Sequence, residues 1–148
     1  MAVGEILNKG EEQRLVGLIK KLERKTSGEI RVHIAKKVSR KGVLTDAAIA
    51  FHKLGIDKTA QRNGVLIYIA VRDHELACIG DKGIHEKIGD QGWKSIVEQL
   101  RLDFSKGDYF AGLHKALENV GEVLASHFPH AGGANTDELP NEISSEKA

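Results

Sequence analysis

The sequence holds a single cysteine, Cys78, in 148 residues. One thiol excludes an internal disulfide framework and any multi-cysteine zinc site. A dominant charge is missing as well. The net charge is +1 at pH 7, so no global field favours nucleic acid or an anionic membrane. Lys36, Lys37, Arg40 and Lys41 make the one compact basic patch. Aromatics are only 5% of the chain, and without them the patch reads as a solvated loop rather than a nucleic-acid surface. No apolar run is long enough to span a bilayer. Residues 1–12 have no basic segment followed by a long apolar one. The chain is therefore expected to be soluble and cytoplasmic, with no nucleic-acid partner and no membrane insertion.

Common catalytic signatures are missing too. Seven histidines are present, without paired zinc spacing or a His-Glu-x-x-His stretch. There is no Cys-x5-Arg or Asp-x-Asp stretch for phosphoryl chemistry, and Cys78 reads as a small buried residue within a strand. Gly80-x-x-Gly83 lacks the Gly-Lys-Ser/Thr of a phosphate loop. Asp103 to Asp108 contains part of a calcium-loop pattern, but its glycine is one place early and no acidic residue closes it. A helix stop followed by a helix cap is the simpler reading.

What remains is the composition of one ordinary globular domain: 41% hydrophobic and 29% charged residues, enough to bury a core. Its centre is Val65 to Val71, seven apolar residues without polar alternation. Such a strand is covered on both faces. A short polar break leads to Leu76-Ala77-Cys78-Ile79, so the two runs read as an antiparallel hairpin. Before it, Asn8 and Glu11 have the spacing of a capping box for a helix facing inward through Leu15, Leu18, Ile19 and Leu22. Glu29 to Ile34 alternates strictly, which predicts a strand with one buried face near the sheet edge. Thr45 is the expected cap of a second helix, carrying Ala47, Phe51 and Leu54 inward. Residues 83–89 read as a short turn or a single helical turn, with Asp90 and Asp108 as caps of two further helices. The order α-β-α-β-β-α-α predicts a three-layer α/β/α sandwich around a mixed sheet of three to four strands. The domain is expected over residues 1–129. Residues 130–148, poor in large apolar side chains, are expected to be a disordered tail.

Three motifs in order resemble the TPM domain family: Arg62-Asn63-Gly64-Val65-Leu66 opening a strand, Ile79-Gly80-Asp81-Lys82-Gly83-Ile84 closing the hairpin, and Phe104 to Gly112 between the last helices. Many members carry an acidic residue between the Asn and Gly of the first motif, where Asn63 here runs straight into Gly64. The resemblance implies small α/β/α domains, including a plant thylakoid-lumen acid phosphatase linked to photosystem II repair, with calcium binding reported among members.

Strand directions place Glu29, Asn63, Gly64 and Asp81 at one end of the sheet. Carboxylates, a side-chain amide and backbone carbonyls are hard oxygen ligands of the kind calcium takes. The same residues also suit turns. The leading expectation is a divalent-cation site, for calcium, at the Glu29/Asn63/Asp81 end. One alternative is a weak phosphomonoesterase there, with Arg62 contacting phosphate. Another is a protein-binding module acting in assembly or repair of a membrane complex. Asp103 and Asp108 are ranked below Glu29 as further ligands at that end.

Overall fold

The computed structural model describes residues 2–130 and 143–145. Helix α1, Lys9–Glu23, begins with the expected capping box: Asn8 Oδ1 accepts the Glu11 amide at 2.7 Å and Glu11 Oε1 accepts the Asn8 amide at 3.0 Å. Strand β1, Glu29–Ala35, follows, then α2, Val43–Lys53, and a 3-10 turn at Ile56–Lys58. The hairpin is β2, Gly64–Ala70, and β3, Glu75–Gly80. Two long helices complete the body, α3, Lys82–Ser105, and α4, Tyr109–His127, and a two-residue strand β4 lies at Ser144–Ser145.

The sheet order is β3-β2-β1-β4. β1 runs parallel to β2, with Glu29 opposite Gly64, and β2 runs antiparallel to β3, with Val65 opposite Gly80. All seven residues of β2 are buried, as an uninterrupted apolar run requires. On one face Ile30, Val32, Ile34, Val65, Ile67 and Ile69 pack against α1, α3 and α4. On the other, Leu66, Tyr68 and Ala77 meet Ala47 and Phe51 of α2 and Ile56 of the turn. This is the expected three-layer sandwich, and each fully buried Leu or Ile in it contributes about 1.5–3 kcal/mol.

Three expectations need correction. β1 is neither half-exposed nor at the edge. Glu29 and Arg31 are both 4% exposed, on the same face of the sheet as α2, and the strand lies between β2 and β4. The second helix starts at Val43, not after Thr45. Gly42, at φ 94°, turns the chain into it, and Asp46 reaches back to accept the Ser39 amide at 2.7 Å. The stretch 83–89 takes the expected helical alternative, a short helical segment that begins at Lys82. It kinks at Gly89, whose φ of 64° and ψ of −176° are non-helical. His85 bridges that kink, accepting Trp93 Nε1–H at 3.0 Å. Finally, residues 143–145 fall within the stretch expected to be disordered. Instead Ile143 is 7% exposed in the main core, and Ser144 and Ser145 pair with His33 and Ile34. One large apolar side chain and a free strand edge were enough to hold this piece. Residues 131–142 and 146–148 of that stretch lie outside the described residues.

Candidate functional site

The register brings the starts of β1 and β2 and the end of β3 to one end of the sheet, as strand direction implies. The Asp81 amide donates to Gly64 O at 2.9 Å, and the Gly83 amide to Arg62 O at 2.8 Å. The segment before β2 and the first turn of α3 are thereby joined. Gly83 is there because the backbone comes so close: a Cβ would fall against the carbonyl oxygens of Gln61 and Arg62, the latter at 2.6 Å. Arg62 itself takes a positive φ of 53°.

Asp81 is buried at 6% exposure and has three bonds. Arg62 Nε donates to its Oδ2 at 2.7 Å, Arg62 Nη2 to its Oδ1 at 2.9 Å, and the Lys82 amide to Oδ1 at 2.8 Å. It is thus the N-cap of α3 and one half of a bidentate ion pair. The hydrogen bond to Asp81 and then its charge hold the Arg62 guanidinium above its ordinary pKa. Arg62, expected to contact phosphate, turns to the carboxylate of its own chain.

Asn63 is fully buried. Its backbone amide donates to Thr59 Oγ1 at 3.2 Å, and its Nδ2 to Ser27 Oγ at 3.2 Å and Gln61 Oε1 at 3.4 Å. Ser27 Oγ in turn donates to Gln61 Oε1 at 2.8 Å. The Asn63 Oδ1 is buried with no hydrogen-bond partner among the described residues. Ser27, Thr59 and Gln61 were not legible as site residues, since each stands alone in the sequence without a motif. Asp57 Oδ1, in the neighbouring 3-10 turn, is likewise buried and unbonded, while its Oδ2 meets His52 Nδ1 at 2.9 Å.

The other expected ligands are less well placed. Glu29 stands opposite Gly64, but Ile56 packs directly on Gly64, where a Cβ would meet its carbonyl oxygen at 2.8 Å. Ile56 therefore stands between the Glu29 and Asp81 positions. Asp103 and Asp108 cannot join them. After the break at Gly89 the helix runs back along β3, with Trp93 against Gly80 and Arg101 beside Leu76, so both aspartates lie toward the opposite end of the sheet, where Asp103 meets Gln99 and Lys115. Among the described residues no group of three or more His, Cys, Asp or Glu could hold a metal ion. An unbonded buried amide oxygen does fit a hard cation, whereas the carboxylate beside it is occupied by a guanidinium. Cys78 is buried, and burial pushes its thiol up to about 12, far from the range of a nucleophilic thiolate. No helix of the described residues is long and apolar enough to cross a membrane.

Comparison with known structures finds the same architecture. The NMR structure of the BA42 protein from the psychrophilic bacterium Bizionia argentinensis matches with a TM-score of 0.87 and 40% identity, over 97% of this chain and 98% of that one. The N-terminal domain of a P. gingivalis protein matches with a TM-score of 0.71 at 17% identity, over 86% of this chain and 83% of that one. The N-terminal domain of a Corynebacterium glutamicum protein matches at 0.61 and 15%, over 96% and 81%. These last two share the fold. No curated protein matches the chain. The TPM domain family matches residues 3–123, most of the chain and all three motifs quoted above, and the chain is therefore a member of the TPM domain family.

Proposed function

We propose that this TPM domain binds a divalent cation, calcium by the chemistry of its donors, at the Asn63/Asp81 end of the sheet. The observation that carries this reading is the Asn63 side chain, wholly buried with its Oδ1 unbonded. A buried acceptor left unsatisfied costs about 1–3 kcal/mol, and a hard cation satisfies it. Calcium tolerates irregular sets of carboxylate, amide and backbone carbonyl oxygens. Glu29 adds negative charge to this end rather than a coordinating position.

Arg62 then has a defined role. Its guanidinium occupies the Asp81 carboxylate while the ion is absent, and its side chain is 44% exposed, so it is able to swing out. It acts as a built-in competitor, a monovalent charge that a divalent ion displaces.

A calcium titration followed by NMR or calorimetry tests this. Saturable shifts are expected at residues 63–64 and 80–83. Asp81→Ala should weaken binding more than Asn63→Ala, because it removes a charge as well as a ligand. Arg62→Ala should tighten it. At 100 times its dissociation constant, calcium should stabilise the domain by about 2.7 kcal/mol. No saturable shift in those residues, or an Asp81→Ala variant that binds as tightly as wild type, overturns the reading.

A further inference from the structure

The opposite end of the sheet carries a second candidate site. Helix α2 packs over β2 and β3. At 11 residues it is about 16 Å long and 10 Å wide, too small to cover four strands spaced about 4.8 Å apart. Beside it, near the carboxyl ends of the parallel strands β1 and β2, a cleft of about 500 Å³ opens. Clefts of this size and at this position in α/β sheets are the usual sites for small ligands.

Its floor is aromatic. The rings of His33 and Tyr68 stack with centroids 5.4 Å apart and planes 26° apart. His33 Nδ1 lies 2.8 Å from Ser144 Oγ, and that hydroxyl donates to Val32 O at 3.2 Å. Because the hydroxyl proton is used there, His33 Nδ1 is the donor of the first bond and the ring is fixed. One wall is apolar, formed by Leu54 and by Ile49, which is 39% exposed. The rim is cationic: Lys37 from the loop after β1 and Lys53 from α2 both line the cleft.

Among the described residues the one carboxylate lining it, Asp46, is already engaged by the Ser39 amide at 2.7 Å and by the Ser39 hydroxyl. It serves as a clamp on the loop. Two further bonds hold that loop on its other side, Val38 N to Asp73 Oδ2 at 2.6 Å and Arg72 N to Lys36 O at 2.9 Å. The backbone around Lys37 is thus ordered before any ligand arrives, which lowers the entropic cost of binding. Lys36, Arg40 and Lys41 on the same loop add a field that draws anions in.

We infer that this cleft binds a small aromatic anion, its flat body on the His33/Tyr68 floor against Ile49 and Leu54, and its anionic head between Lys37 and Lys53. An inorganic anion would leave the apolar wall and ring floor unused. A neutral aromatic would leave the two ammonium groups unused.

The probe is 2-naphthoate, titrated in calcium-free buffer by NMR, with acetate and 2-naphthol as the head and body alone. Because calcium is absent and Asp81 lies at the other end, the result is independent of the cation site. Saturable shifts are expected at Val38, Ser39 and residues 49–54, with acetate and 2-naphthol binding at least about tenfold more weakly. The double variant Lys37→Ala/Lys53→Ala should lose about tenfold in affinity. Ile49→Glu, which places a negative charge in the apolar wall at an exposed position, should abolish binding. Unchanged melting temperatures in these surface variants separate loss of binding from loss of fold. The inference is overturned if no saturable shift appears by about 10 mM, a concentration at which even weak ligands bind. It is overturned equally if 2-naphthol binds as well as 2-naphthoate, or if the double variant binds unchanged.

Discussion

Arg62 and Asp81 face each other in a two-toothed pair, Nε to Oδ2 at 2.7 Å and Nη2 to Oδ1 at 2.9 Å, while Asp81 Oδ1 also receives the Lys82 amide at 2.8 Å. One carboxylate thereby fixes both the start of α3 and the conformation of the segment before β2. Asp81→Ala should lower stability by about 1–2 kcal/mol through loss of the cap. Asp81→Asn keeps an acceptor for the Lys82 amide and should lose less. Urea unfolding of the two variants beside wild type checks the order.

Two glycines should respond in opposite directions to the same substitution. At Gly83 a Cβ would press on main-chain carbonyls of Gln61 and Arg62, which have no flexible end to move aside. Gly83→Ala should cost about 1–3 kcal/mol. At Gly17, inside α1, nothing lies within 4 Å of the added atom. Gly17→Ala should gain up to about 1 kcal/mol from helix propensity. Thermal melts of the pair report the sign of each change.

Acid should weaken the fold partly through Asp57. The His52 hydrogen bond holds its carboxyl below the ordinary value of 3.8. A carboxylate lowered in the folded state contributes stability above its unfolded pKa, and that contribution is lost as pH falls through the folded value. Between about pH 5 and the acid limit, wild type should therefore lose stability faster than Asp57→Asn does. Urea midpoints measured across that range would show the two converging as pH falls. Parallel curves would show that the pair contributes nothing.

The Cys78 thiol, buried and raised to about 12, should resist alkylation by iodoacetamide at pH 8 in the native protein. It should react fully once the protein is unfolded in guanidinium. Rapid native labelling would mean that the inner face of β3 opens readily.

Ile143 is 7% exposed in the main core, so Ile143→Ala should cost about 2 kcal/mol or more. A truncation before residue 143 should lower the melting temperature, where a disordered tail would leave it unchanged. Calorimetry on both chains measures this.

Which of these relationships were legible in the sequence follows from the range of the forces involved. The run Val65 to Val71 was read as a strand covered on both faces, because covering a strand is a local compositional demand. The end-of-sheet cluster was legible because strand direction and register are set by the order of elements. The role of Asp81 as a helix cap was obscured by the glycines that follow it. Gly83 serves a close backbone approach, and only the folded chain reveals that the carbonyls of Gln61 and Arg62 make it. Glu29 and Arg31 looked like a solvent face, since a local alternation shows that the two faces differ but not that both are buried. Ile143 was one apolar residue in a polar stretch, and its partner strand is more than a hundred residues earlier. Lys37 and Lys53 come from separate elements, and only the narrow span of α2 makes them neighbours.

The pairing of β4 with β1 also bears on the order of folding. His33 Nδ1 and Ser144 Oγ are 111 residues apart in the chain, whereas the β2–β3 hairpin closes over a short turn. Closing the longer loop costs more chain entropy and is slower to find, so the hairpin forms early and the outer edge of β1 at His33 and Ile34 is covered last. Until residues 143–145 arrive, β1 offers main-chain donors and acceptors to any passing strand, including the same strand of another molecule. The three-residue clasp thus guards against self-association during synthesis, and chains that end before it should aggregate more readily than their loss of stability alone would imply.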